Sequence, residues 1–409
     1  MTAEITRDTP VPTDFTPGPH GTMPANLARR HHEAPAAPVR LPSGDKVPML
    51  VTYADVQNVL ACPHTSRQVT GPGRPRMVGA GPSVDDVPDV LLNLDGAEHR
   101  RQRAILGGAF TAKQAERWRE PCRAVADELL ADCTEPVVDL VSQFAVPLAS
   151  QVICQILGVP PGDRQHFHTW TTSFLASSNA SAESRFEAFV SLTQYAATLI
   201  ETHRDQPGQD LVDLLIQARD EDDQLNENEL VNVLITLIVA GHETTAMMIS
   251  RGVYRLLLHP EQYQQLVNDG DLIPAAVEEI LRTEGPGSDG LLRLVAADLT
   301  LPSGTHIPAG TVVLPNYRAG NFDPHAFPEP YRFDIHRYAH GTKALPHLAF
   351  GHGPHYCLGA SMARMMLQEA LCALIAWAPA LRPGIPLESI TWTSQAMTHQ
   401  PMTLPVRSG

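Results

Sequence analysis

The 409-residue chain lacks any Gly/Ser-rich linker, low-complexity tract or internal repeat. Nothing in its composition divides it, so the expected organisation is an extended N-terminal segment over residues 1–30 and one domain over 31–409, although length alone would allow two or three. It also lacks an excess of positive charge. A formal net charge of −15 argues against a nucleic-acid partner, which needs a basic surface. The N-terminus has no apolar core segment of the secretory kind. The longest strongly apolar run, Val233 to Ala240, is too short to span a bilayer. These absences predict a cytoplasmic protein without a membrane partner. Cysteines are few and scattered (Cys62, Cys122, Cys133, Cys154, Cys357 and Cys372). They form no disulfide framework, no CxxC zinc site and no quartet for an iron–sulfur cluster. No GxGxxG follows a strand, so a flavin or dinucleotide site is missing too.

What is present reads as mostly helix with small β regions. Val39-Arg40-Leu41 and Val47 to Val51 flank the turn Pro42-Ser43-Gly44-Asp45, a hairpin pattern. Tyr53 to Leu60 has helical spacing, and residues 66–88 read as a long loop rich in Gly, Pro and Arg. Asp95 opens a helix, with Glu98 placed to complete a capping box. On that helix His99 and Arg103, at i and i+4, share a face. By spacing they could hold a carboxylate or simply form a solvated basic face. Leu148–Leu157, Phe167–Leu175 and Phe186–Ile200 carry the apolar signal of the next helices. Asn226 caps an acidic first turn, and a helical pattern then runs about 32 residues to His259-Pro260, roughly 48 Å. In its middle, Ala240-Gly241-His242-Glu243-Thr244-Thr245 is poor helix material, because threonine hydroxyls compete for the ladder carbonyls. A buried acid beside threonines suits proton delivery, and equally a structural pairing in a kinked core helix. Glu279 and Arg282 can pair at i and i+3. Leu291–Val295 and Thr311–Pro315 read as strands, and Met397–Val406 as a last hairpin.

The most informative stretch runs from His347 to Ala360. Glycines 351 and 353 permit tight turns and Pro354 stiffens them. Cys357 then sits just ahead of an amphipathic helix from Leu358 to Trp377. A helix N-terminus favours the thiolate, which is a nucleophile or a metal ligand. A single thiolate with an open opposite face suits a haem iron.

Phe350-x-x-Gly353-x-x-x-Cys357-x-Gly359 resembles the haem-binding signature of the cytochrome P450 superfamily, in its soluble bacterial, actinobacterial type. Three more stretches and two single arginines also resemble that family. Asp95 to Arg103 is similar to its D-P-P-E-H-x-x-x-R segment, Ala240 to Thr245 to A/G-G-x-D/E-T-T, and Glu279 to Arg282 to E-x-x-R. Arg332 stands for the arginine that completes the E-x-x-R cluster, and Arg293 for a propionate-binding arginine. The resemblance implies haem b ligated by Cys357. His99, Arg103, Arg293 and His355 would contact its propionates, with Phe350, Gly351, Gly359 and Ala240 around it. Thr244 and Glu243 would be the catalytic pair, delivering protons during oxygen activation.

The implied activity is a monooxygenase that hydroxylates or epoxidises a small organic substrate, a secondary metabolite such as a polyketide, terpene or cyclic peptide. Without a flavin or iron–sulfur motif in the chain, electrons would come from a ferredoxin and ferredoxin reductase drawing on NAD(P)H. An acidic ferredoxin would dock near Arg100 and Arg101. The alternative within the chemistry is oxidative coupling, or another hydrogen abstraction without oxygen insertion. A non-catalytic haem sensor or carrier would have no use for Glu243 and Thr244, and a scaffold protein no use for any of the five motifs.

Overall fold

The computed structural model describes residues 22–71, 73–77, 84–87, 89–163, 169–170, 181–208, 210–220, 224–285, 290–393 and 399–408. Its helices in chain order are α1 (Leu27–Glu33), α2 (Tyr53–Ala61), α3 (Gly96–Gly107), α4 (Ala112–Ala131), α5 (Val146–Ile156), α6 (Ala182–Asp205), α7 (Leu211–Asp220), α8 (Glu227–Leu258), α9 (Pro260–Asn268), α10 (Ile273–Glu284), α11 (Tyr317–Asn321) and α12 (Ala360–Trp377). Its strands are β1 (Pro38–Arg40), β2 (Lys46–Leu50), β3 (Thr65–Ser66), β4 (Val138–Asp139), β5 (Arg293–Val295), β6 (Leu299–Thr300), β7 (His306–Ile307), β8 (Val312–Pro315), β9 (Arg382–Pro383) and β10 (Pro405–Arg407). The fold is mainly α, as the periodicity predicts.

The segment expected to stay extended to residue 30 turns helical at Leu27. Leu27, Arg30 and His31 are buried there, and burying Leu27 favours the turn of helix. Residues 1–21 lie outside the described residues. β1 and β2 form the expected hairpin, with Val39 opposite Val47. β2 then pairs with β8, β8 with β5, and β5 with β3. The sheet β1-β2-β8-β5-β3 thus gathers segments from both ends of the chain. At the other end β10 lies between β4 and β9. Of the last expected hairpin, residues 391–393 and 399–402 are seen: Trp392 bridges Pro401, and the Thr393 N–H donates to the Gln400 carbonyl at 2.8 Å. Residues 394–398, and almost all of Phe167–Leu175, lie outside the described residues.

α8 is the axis of the larger core. It begins on the predicted capping box: the Glu229 N–H donates to Asn226 Oδ1 at 2.9 Å, and the Asn226 N–H to Glu229 Oε2 at 2.8 Å. It runs unbroken for 32 residues and stops at His259, ahead of Pro260. It is also long and apolar enough to cross a membrane by length and composition, yet 72% of its most apolar window is buried inside the protein. Helices α5, α6, α10 and α12 pack around it, and α4 lies along α12. Gly241 lets α5 come close, because a Cβ there would lie 2.7 Å from Ile153 Cδ1.

Candidate active site

The Cys loop is built by backbone geometry. Gly351 and Gly353 both adopt φ of +71°, which an L side chain takes only under strain. At Gly353 there is also no room, since a Cβ would sit 2.5 Å from the Leu60 carbonyl oxygen. The loop closes with the Cys357 N–H donating to the Phe350 carbonyl at 2.8 Å. Phe350 is held beneath the Arg364 guanidinium, 4.5 Å from the ring centre. Arg364 is fixed in turn by Glu278, its Nε and one terminal nitrogen lying 2.7 and 2.9 Å from the two carboxylate oxygens. Glu278 also accepts from His347 at 3.1 Å, so one carboxylate grips both ends of the loop.

Cys357 is exposed although much of the protein lies close around it. Burial pushes the thiol up. The Gly359 N–H, Arg103 and Arg364 pull the other way without overcoming it. A thiolate at this place is therefore costly until a metal ion shares its charge. α8 shows matching accessibility. Val239 and Thr245 are buried, but Ala240 between them is exposed and Thr244 is half-buried. Thr244 Oγ1 donates to the Ala240 carbonyl at 2.8 Å. The expected competition for the ladder thus takes the form of one side-chain bond, and the helix does not break. Glu243, next in sequence, is turned inward and buried.

The four residues expected to hold anionic groups come from three elements. Arg293 on β5 is 3% exposed and, among the described residues, has no carboxylate within ion-pair reach. Its guanidinium donates to the Leu292 carbonyl at 3.2 Å. Burial lowers its pKa to about 10. His99 on α3 is buried against His355, with ring centres 4.2 Å apart, and burial pushes it down to about 4. Arg103, one turn on, reaches the Tyr356 carbonyl. His355 shares a hydrogen bond with Asp95 at 3.2 Å. A buried guanidinium with no anion is expensive, and the His99 ring against His355 adds a further hydrogen-bonding group. An acidic group entering beside a metal on Cys357 would satisfy both. The donor set present thus fits haem in kind: an exposed thiol for a metal, and buried cationic and imidazole groups for acids.

Three expectations need correction. Asp95 makes no side-chain cap to α3. Its carboxylate is spent on Ser66 Oγ at 2.6 Å, the Arg67 N–H at 3.0 Å and His355, which together hold it down to about 2 despite its burial. Arg101 does not face out freely beside the exposed Arg100. It ties α3 to α8 through Glu229 and the Gln224 carbonyl. The arginine that joins the Glu279–Arg282 pair is Arg337, whose Nε lies 3.1 Å from Glu279 Oε2. Arg332 is 61% exposed and pairs with Glu329, and only its carbonyl serves the cluster. The E-x-x-R spacing reveals a partner in demand. Its identity depends on how the Pro330–Arg337 turn folds, and spacing does not encode that.

Residues 165–376 match the family model described as Cytochrome P450. The chain is 38% identical to the mycinamicin IV hydroxylase/epoxidase of Micromonospora griseorubida, over 95% of this chain and 96% of that protein. It is 34% identical to the nocardicin C N-oxygenase of Nocardia uniformis subsp. tsuyamanensis, over 97% and 96%. Among solved structures it resembles the LnmA cytochrome P450 hydroxylase of the leinamycin biosynthetic pathway of Streptomyces atroolivaceus. The TM-score there is 0.85 at 35% identity, over 99% of each chain. With the Cys357 loop and the α8 site already in place, these matches establish that the chain belongs to the cytochrome P450 family and is a monooxygenase.

Proposed function

We propose that this enzyme inserts oxygen into a small secondary metabolite (a polyketide, terpene or cyclic peptide), using electrons from a separate ferredoxin and NAD(P)H-dependent reductase. The observation that carries the site is the buried Arg293, with no ion pair among the described residues, near His355, whose ring stacks on His99, while Arg103 of the same helix lies near the exposed Cys357. The relatives' names support oxygen insertion as the outcome, since they describe a hydroxylase/epoxidase and an N-oxygenase.

Haem b bound here would supply the activation of dioxygen and the oxidising power. The protein's residues do the rest. Cys357 ligates the iron, with the Gly359 N–H and the cations Arg103 and Arg364 stabilising negative charge on sulfur. Arg293, His99, Arg103 and His355 fix the propionates. Thr244 keeps its hydroxyl proton on the Ala240 carbonyl and can turn it away from the helix. Glu243, adjacent and buried, is the proton store, delivering through water and the Thr244 hydroxyl. Ala240 is exposed one turn before Thr244, whose hydroxyl its carbonyl accepts. Gly359 occupies the turn into α12, and Phe350 with Gly351 shapes the wall behind the ligand. The exposed Arg100 is a contact for an acidic ferredoxin.

The test is reconstitution with haem, a ferredoxin, its reductase and NADPH under labelled dioxygen. Candidate polyketides, terpenes and cyclic peptides are first screened by spin-state shift. One labelled oxygen in the product supports the reading. Substrate consumed to an unlabelled product contradicts it.

A further inference from the structure

The donors expected to face the haem acids come from elements far apart in sequence, and a short segment that makes no such contact holds them together. Ser66 and Arg67, at the end of β3, form its centre. The Asp95 carboxylate accepts from Ser66 Oγ at 2.6 Å, from the Arg67 N–H at 3.0 Å and from His355 Nε2 at 3.2 Å. A carboxylate only accepts, so Nε2 carries the proton in that last bond and the ring orientation of His355 is set. His99 stacks on the same ring. The Arg67 side chain is 0% exposed. It donates to Asp85 Oδ1 at 2.6 Å, Asn93 Oδ1 at 2.9 Å and the Leu292 carbonyl at 2.6 Å. Arg293 donates to that same carbonyl at 3.2 Å. β3, the start of α3, the Cys loop and β5 are thereby linked through two adjacent residues and one carboxylate.

We infer that Asp95, working with Ser66 and Arg67, is a positioning residue for the anionic end of the cofactor: it sets His355, and with it His99, against the haem acids. The inference rests on the haem reading above. A helix-capping role does not account for the carboxylate, which makes no cap bond to α3. Nor does a surface ion pair, because the partners are a serine hydroxyl, a backbone N–H and a histidine.

The experiment is a retention cycle. Wild type and Asp95→Asn are each loaded with haem b and with its dimethyl ester, in which the acids are masked. The rate of cofactor transfer to excess apomyoglobin is then followed by absorbance. Supporting interactions of this kind typically change affinity by 10–100-fold. We expect Asp95→Asn to lose haem b about tenfold faster than wild type, and the two proteins to lose the ester at the same rate. Asp95→Asn matching wild type with haem b overturns the inference, and so does an equal handicap with both cofactors, which marks a merely structural residue. Should Asp95→Asn not fold, Ser66→Ala removes one bond to the carboxylate and runs the same cycle with a smaller expected ratio; equal ratios for both cofactors overturn the inference there too. A wild type that takes up no haem defeats the haem reading itself, an outcome distinct from a flat cycle in a protein that binds it.

Discussion

Arg337 and Arg282 close on one carboxylate, that of Glu279. Arg282 Nε lies 2.8 Å from Glu279 Oε2 and Arg337 Nε 3.1 Å from the same atom. Glu279 and Arg282 are both 0% exposed. Arg282 further donates to the Asn321 and Pro330 carbonyls at 2.9 Å each, tying α10 to the turns that precede the Cys loop. Truncating one partner of such a buried pair leaves an uncompensated charge, at about 3–5 kcal/mol. Arg282→Ala should therefore cost about that much in urea denaturation, and Arg337→Ala clearly more than Arg332→Ala. Arg332→Ala should stay within about 0.5 kcal/mol, as exposed substitutions do. A larger loss at Arg332 than at Arg337 would refute the assignment.

Glu284 gives the fold an acid-sensitive point. Burial would raise this carboxyl, but Arg255, Arg251 and Arg318 outweigh it and hold it at about 2. Its folded pKa is thus below the unfolded value of about 4.3. Its stabilisation is fully present above the unfolded value and is lost as pH falls toward 2. Melting temperature should drop over that window. Glu284→Gln should be less stable than wild type at pH 7, and the gap should narrow as pH falls. A gap that stays constant down to pH 3 would contradict this.

Arg293 should show opposite effects with and without cofactor. In the apoprotein it is a buried cation with no carboxylate, so Arg293→Gln should leave the apo melting point unchanged or higher. In the holoprotein the same change removes a charge-assisted contact of about 1.5–3 kcal/mol, which weakens haem binding by tenfold or more. Haem titration and apo thermal melts measure the two effects separately. A destabilised apoprotein with unchanged haem affinity would show that the arginine is structural.

Thr244→Ala should separate folding from chemistry. Alanine is the better helix former by a few tenths of a kcal/mol, and only the bond to the Ala240 carbonyl is lost. Stability should hold or rise slightly. Product formed per NADPH consumed should fall by tenfold or more if the hydroxyl delivers protons, and Thr244→Ser should recover most of it. Undiminished coupling in Thr244→Ala would remove the residue from the mechanism.

The parts of this protein that were legible in sequence have local causes. α8 is bounded by Asn226, Glu229 and Pro260, each of which acts within one turn of itself. The β1–β2 register follows from the short turn over residues 41–45, which pairs Arg40 with Lys46. The Cys loop is readable because its two positive-φ glycines have no substitutes. What was missed is long-range. Asp95 has the right spacing for a cap but is drawn off by Ser66, 29 residues earlier, and His355, 260 residues later. Arg67 lies in a stretch that reads only as loop, and its partners at 85, 93 and 292 exist only after the sheet assembles. Arg332 and Arg337 are both arginines near the same turn, and the one that faces Glu279 is decided by the fold of that turn.

The measurement that bears most directly on the whole account is the absorption spectrum of the dithionite-reduced protein under carbon monoxide, for wild type and Cys357→His. The account predicts a strongly red-shifted Soret band in wild type that is absent from the variant, as thiolate ligation requires. A histidine-like band in wild type, or a red-shifted band that survives Cys357→His, would contradict it.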